Sequence, residues 1–211
     1  MEVGIIPVTG FAQNCSVIRC EETGLGAVVD PGGDVDKILA YIEEAGVKID
    51  KILLTHGHID HAGATSELAK ALSVPVIGPQ REDQFLLESL AAQGQMFGLP
   101  AAASVTPDQW LDPGDVVQVG NERFEVRHCP GHTPGHVVFY NAARKFVIVG
   151  DVLFDGSIGR SDLPRGDSAT LMRSIKDELL SLPDDTTFLP GHGPVSTLGE
   201  QRRRNPFLQG L

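Results

Sequence analysis

The chain has 211 residues, 41% hydrophobic and 21% charged, with a formal net charge of -11 and a pI near 5.0. This is the composition of a globular protein with ample core, and its acidity excludes a general nucleic-acid binder, because no basic field would collect phosphates. No apolar run approaches the roughly 20 residues of a membrane span, Met1-Glu2-Val3-Gly4 opens no signal peptide, and three cysteines without a CxxC pair make a poor disulfide framework, so a cytoplasmic setting is expected.

Val3 to Val8, Cys15 to Cys20 and Leu25 to Asp30 read as short strands with only partial polar alternation. After the Pro31-Gly32-Gly33 turn, Asp34 is placed to cap a helix to Ala45, with Ile38, Leu39 and Ile42 on one face and Gly46 as its stop. Lys51 to Thr55 is a buried strand, Ala64 to Leu72 a helix, Val74 to Ile77 a strand and Gln80 to Ala92 a helix. The pattern then fades to Pro107. Val116 to Val119 and Arg123 to Arg127 form a hairpin across Gly120-Asn121. Val137 to Tyr140 and Phe146 to Val149 are strands, Asp167 caps a helix through Leu182, Thr186 to Leu189 is a last strand, and the end reads as a short polar tail. Strands followed by mixed strands and helices, twice over, predict two sheets face to face with helices outside, in one domain spanning 1–211.

The chemistry starts at Thr55-His56-Gly57-His58-Ile59-Asp60-His61, which gathers three of the chain's seven histidines at a strand end. Adjacent imidazoles repel when protonated and gain nothing when neutral unless something coordinates them. Imidazole and carboxylate suit zinc, iron or manganese. Three later strand ends repeat the design, with a ligand-type side chain beside glycine: Gly131-His132 (with His136 four residues on), Gly150-Asp151 and Gly191-His192. Two divalent ions account for the set. His56, His58 and His132 would hold one, Asp60, His61 and His192 the other, and Asp151 would bridge them. Such a pair, about 3.5–4 Å apart, suits a shared hydroxide. His136 could replace His132 as a ligand or orient a neighbour. Cys129 reads as a buried small hydrophobe.

THGHIDH, PGHTPGH, the Gly150-Asp151 pair and PGHG, in that order, resemble the metallo-β-lactamase superfamily. The resemblance implies a four-layer αβ/βα sandwich, and His132 rather than His136 as ligand. IPVTGFAQNCSVI, VDPGGD, GSIGRSDLPRGD and the closing NPFL further resemble short glyoxalase II (hydroxyacylglutathione hydrolase) proteins. The resemblance implies S-lactoylglutathione as a small-molecule thioester substrate, cleaved to lactate and glutathione, with zinc the first choice of metal and Asp60 and Asp151 positioning the water. Only 19 residues follow His192, too few for the C-terminal helical glutathione-binding domain of full-length glyoxalase II. Arg160 and Arg165 could grip a substrate carboxylate, and the Arg202-Arg203-Arg204 run reads as a solvated helix face or a partial substitute for that domain. The rival reading is a persulfide dioxygenase, which resembles this pattern and holds one iron, here with His56, His132 and Asp151.

Overall fold

The computed structural model describes residues 1–210. Its first sheet takes the strands β1 (Glu2–Val8), β2 (Gln13–Arg19), β3 (Leu25–Val29), β4 (Lys48–Leu53) and β5 (Val76–Ile77) in that order. β1, β2 and β3 run antiparallel, and β3, β4 and β5 run parallel. The strands that follow are β6 (Val116–Val119), β7 (Glu122–His128), β8 (Val137–Asn141), β9 (Phe146–Gly150), the small hairpin β10 (Leu153–Phe154) and β11 (Ser157–Ile158), β12 (Thr187–Pro190) and β13 (Ser196–Thr197). The second sheet is ordered β13-β12-β9-β8-β7-β6. It too begins as an antiparallel meander and turns parallel, at the β9–β12 pair.

The strands look continuously apolar because both faces of each sheet are covered. In β3, Ala27 and Val29 point into the space between the sheets while Val28 points the other way. In β8, Val137 and Phe139 meet that same inner layer, and Val138 and Tyr140 face outward. Phe124 and Leu53 join the inner layer, and no part of either is exposed. Outside the first sheet lie α1 (Val35–Ala45), the short turn α2 (Ile59–Ala62), α3 (Thr65–Leu72), α4 (Gln84–Glu88) and α5 (Leu90–Phe97), with Ile38, Leu68, Leu87 and Leu90 in the outer cluster. Outside the second sheet lie α6 (Ser168–Ser174) with a π-helical turn at Ile175–Leu179, and α7 (Leu198–Arg204). The layers are therefore helix, sheet, sheet, helix, as anticipated. Among the described residues no helix is long and apolar enough to cross a membrane. Cys15, Cys20 and Cys129 are free and buried, and Cys129 packs in the outer cluster of the second sheet.

Several local expectations need correction. α1 begins at Val35, but Asp34 does not cap it. Its φ of 51° is left-handed, where a capping residue is normally extended, and its carboxylate accepts from Thr9 N–H at 2.9 Å instead. The expected helix from Gln80 to Ala92 is a 3-10 turn (Arg81–Asp83) followed by α4 and α5, and it continues to Phe97 because Leu90, Gln93 and Gly94 are buried there. The strand expected at Val74 to Ile77 is two residues long. The polar tail is folded: Thr197 caps α7, Arg202 reaches Asp184 at 3.0 Å, and Arg204 pairs with Asp155 and with Glu200. The arginine run lies on an exposed face of this last helix, as anticipated, with Arg202 and Arg204 in surface ion pairs.

Asp167 does cap its helix, accepting from Thr170 N–H at 2.7 Å. Asp167→Ala is expected to cost about 1 kcal/mol in stability, measured as a lowered urea midpoint. An unchanged midpoint would remove the cap from the account.

Candidate metal centre

β7, β9 and β12 point the same way in the second sheet, so the segments that follow them leave from one edge. The segment after β4 meets them from the first sheet. Backbone bonds join the two sides. Val137 N–H donates to Thr55 O at 2.9 Å and Asn14 N–H to Gly191 O at 2.7 Å, while within the second sheet Gly191 N–H donates to Gly150 O at 2.7 Å. Asn14 adds side-chain bonds to Pro190 O and Gly193 O, so this residue of β2 holds the His192 loop.

The seven anticipated residues converge there in two groups. Nδ1 of His58 lies 3.1 Å from Nε2 of His56 and 2.9 Å from Nε2 of His132. Asp60, His61 and His192 offer a second set of donor atoms within 4.8 Å of one another. Asp151 stands between the groups, with Oδ1 3.2 Å from His61 Nε2 and Oδ2 3.6 Å from His132 Nε2 and 3.7 Å from His192 Nε2.

The outward ring nitrogens are held, which aims the inward ones at the centre. His56 Nδ1 lies 3.0 Å from the Thr55 hydroxyl, His61 Nδ1–H donates to Asp30 at 2.9 Å, His132 Nδ1–H to Arg160 O at 2.7 Å, and His192 Nδ1–H to Phe11 O at 3.2 Å. His136 is not in either group. Its Nε2 accepts from Asp151 N–H at 3.1 Å and its ring stacks on His56, so it orients rather than binds.

Charge divides the groups. Burial, with help from neighbouring rings, drives His56 far below the ordinary histidine value, His58 down to about 3, and His132 down as well. Three neutral imidazoles facing one point are poor company for one another and good donors for a cation. In the second group burial also works against charge, but the carboxylates of Asp151, Asp30 and Asp60 outweigh it at His61, and Asp60 with Asp151 outweighs it at His192, so both are raised. Burial would raise Asp151, yet His61, His132 and His192 hold it well below the carboxylate range.

The residues fit a divalent cation. Nε2 of His61 and Oδ1 of Asp151 are buried with no hydrogen-bond partner, although only 3.2 Å apart. A cation between them would satisfy both. A Cβ on Gly191 would lie 2.1 Å from Asp151 Oδ1 and 2.5 Å from His61 Cε1, so only glycine lets the loop pass this closely.

Asp30 was not singled out in the sequence, and the structure puts it directly behind His61. It could be grouped with His56 and His61 as a ligand. Its oxygens are already committed to Thr55 N–H at 2.7 Å, the Thr55 hydroxyl at 2.6 Å and the outward nitrogen of His61, which makes it the residue that orients His61. The one local signal was its place at a strand end before Pro31-Gly32-Gly33, where it adopts a φ of 52°. Arg160 and Arg165 both lie on the loop beside His132. The Arg160 side chain forks onto Asp162, and the Arg165 guanidinium sits 4.3 Å over the Phe85 ring.

A family profile described as the metallo-beta-lactamase superfamily matches residues 8–192. The chain belongs to that superfamily. It is 46% identical over 209 residues to hydroxyacylglutathione hydrolase GloC of Haemophilus influenzae, covering 99% of this chain and 98% of the relative. Among solved structures it is similar to BLEG-1, a B3 metallo-beta-lactamase, with a TM-score of 0.92 at 33% identity over 99% of this chain and 100% of the other. It is also similar to TTHA1623 in a di-iron-bound form, with a TM-score of 0.89 at 39% identity over 97% and 100%. As a member of the metallo-beta-lactamase superfamily with hydroxyacylglutathione hydrolase relatives, it is a metal-dependent hydrolase, and its His and Asp clusters bind divalent metal.

Proposed function

We propose that this hydrolase cleaves S-lactoylglutathione to lactate and glutathione. The observation that carries the substrate is the likeness to GloC, which runs the length of both chains. We assign His56, His58 and His132 to one ion, Asp60, His61 and His192 to a second, and Asp151 to both. Zinc is the proposed metal. Iron and manganese suit the same donors, and the di-iron form of TTHA1623 supports iron as the second choice. Three buried thiols without a disulfide support a cytoplasmic setting.

Two divalent ions held there supply an acidified water and polarise a carbonyl. The chain's residues do the rest by holding geometry. Asp151 fixes the spacing of the two groups, and its own backbone is fixed by His136. Asp60 Oδ2 lies 3.2 Å from His192 Nε2, which places a carboxylate at the partly open side of the second group. A thiol leaves readily as thiolate, its pKa being about 8.5, so the departing group needs no dedicated proton donor.

The test is loss of thioester absorbance by protein of measured metal content, with and without chelator, and with His58→Ala as control. Fast, chelator-sensitive cleavage supports the proposal. No cleavage with two ions bound sends the assignment to another substrate, and a β-lactam is then the next to try, given the likeness to BLEG-1. One bound iron, no cleavage and oxygen uptake on glutathione persulfide would make it a dioxygenase.

We assign Arg160 and Arg165 to the carboxylates of glutathione. A charged hydrogen bond contributes about 1.5–3 kcal/mol. Arg165→Ala is therefore expected to raise KM about tenfold or more with kcat nearly unchanged, the pattern of lost uniform binding. An unchanged KM would move the thiol-binding surface elsewhere.

A further inference from the structure

The three-histidine group is assembled from two loops that belong to different sheets. His56 and His58 follow β4 of the first, and His132 follows β7 of the second. The 2.9 Å between His58 and His132 nitrogens therefore depends on what fixes the loops against each other. One buried side chain, unused in the chemistry above, touches both.

Asp83 ends the 3-10 turn before α4 and has no exposed surface. Its Oδ2 accepts from Gly57 N–H at 2.9 Å and from the Thr133 hydroxyl at 2.8 Å. Its Oδ1 accepts from Gly135 N–H at 2.6 Å. Gly57 lies between His56 and His58, and Thr133 follows His132. Two of the three donors are thus next in sequence to a histidine of the centre, and the third, Gly135, precedes His136. Two glycines permit the approach. A Cβ on Gly57 would meet Leu86 Cβ at 2.7 Å, and one on Gly135 would meet Gln80 O at 2.4 Å and Asp83 N at 2.5 Å. Gln93, on α5, braces the same loop, accepting from Ile59 N–H at 3.0 Å and donating to Leu86 O at 2.8 Å. Burial pushes the Asp83 carboxyl up to about 6 against the pull of its three donors. A charge this costly to bury is a poor choice for filling space alone.

We propose that Asp83 is a positioning residue that locks the His56/His58 loop to the His132 loop and so sets how tightly the three-histidine group keeps its ion. Ligand geometry tolerates only about 0.5 Å of error, and a bridge between the two loops is where that tolerance is met. This inference rests on the metal reading of the centre and not on the identity of the thioester.

The test uses zinc-loaded protein and follows zinc release to a chromogenic chelator. Cobalt-substituted protein supplies a visible spectrum that reports ligand geometry, and chelator-stripped protein supplies a melting temperature. Partners that orient metal ligands are worth about 10–100-fold in affinity. Asp83→Asn is expected to speed zinc release by that factor and to shift the cobalt spectrum. Thr133→Val, which removes one donor and leaves the carboxylate, is expected to give a smaller acceleration with the stripped protein melting as the parent does. Unchanged release in both variants would overturn the proposal, whatever the melting temperature does. If Asp83→Asn does not fold, Thr133→Val decides: parental release overturns the proposal, and faster release with parental melting supports it. A parent protein that takes up no zinc or cobalt would instead sink the metal reading, a distinct result.

Discussion

Asp151→Ala is expected to lower thioester hydrolysis by about a thousandfold or more and to leave the protein with less than its parental metal content. Asp151 approaches both groups, within 3.2 Å of His61 and within 3.7 Å of His132 and His192. Removing it would take a carboxylate away from both of the proposed ions. Metal-ion catalysis stabilises transition-state charge by several kcal/mol, and each 1.36 kcal/mol is tenfold in rate. Asp151→Asn should fall between the two, because it keeps an oxygen at the same place and loses the charge. The readouts are steady-state hydrolysis and metal content per chain. Parental hydrolysis by Asp151→Ala would sink the assignment of Asp151 to both ions, and with it the two-ion account of the centre.

Much of this grouping was legible in the sequence because the residues that converge are unusual ones in unusual density. His56, His58 and His61 stand in one run, and His132, Asp151 and His192 each sit beside glycine at a strand end. The layers were legible for a related reason: strands buried on both faces, such as β3 and β8, show as apolar runs whatever their neighbours. What escaped were ordinary residues given meaning by distant contacts. Asp30 acts on Thr55 and His61 across 25 and 31 positions, and Asp83 acts on Gly57, Thr133 and Gly135 across 26, 50 and 52. Neither has a local pattern that sets it apart from a turn or capping aspartate. Asp34 failed as a cap for the same cause, since Thr9, 25 residues earlier, claims its carboxylate. The arginines of the last helix are exposed, as read, but the packing of the tail escaped because Arg202 and Arg204 find Asp184 and Asp155 18 and 49 positions away.

The stripped protein is expected to be most stable near pH 6.5 and to weaken steeply on the acid side. His56, His58, His132 and His136 are all lowered by burial, His58 to about 3. Below about 6.5 these side chains take up protons in the unfolded chain and not in the folded one, so stability falls as pH falls. Asp83, raised to about 6, opposes one of them between its unfolded value and 6, because there the folded state holds the extra proton. The lowered histidines outnumber the one opposing carboxyl, and each proton of difference is worth about 1.4 kcal/mol per pH unit. Against a total of about 5–15 kcal/mol for a typical domain, that is enough to unfold the stripped protein a few units below the maximum. His61 and His192 act in the other direction, being raised. Their contribution is full below about 6.5 and is lost as pH rises through their folded values, which sets the alkaline side of the maximum. Bound metal changes the acid side first, since it binds only the deprotonated imidazoles and stabilises the fold that presents them. Urea denaturation of stripped and zinc-loaded protein between pH 4.5 and 8 measures both curves. The loaded protein should hold its stability to lower pH until protons displace the metal. A stripped protein equally stable at pH 5 and 6.5 would show that the histidine cluster is already hydrated without its ions, and the electrostatic account of why these imidazoles await a cation would fail.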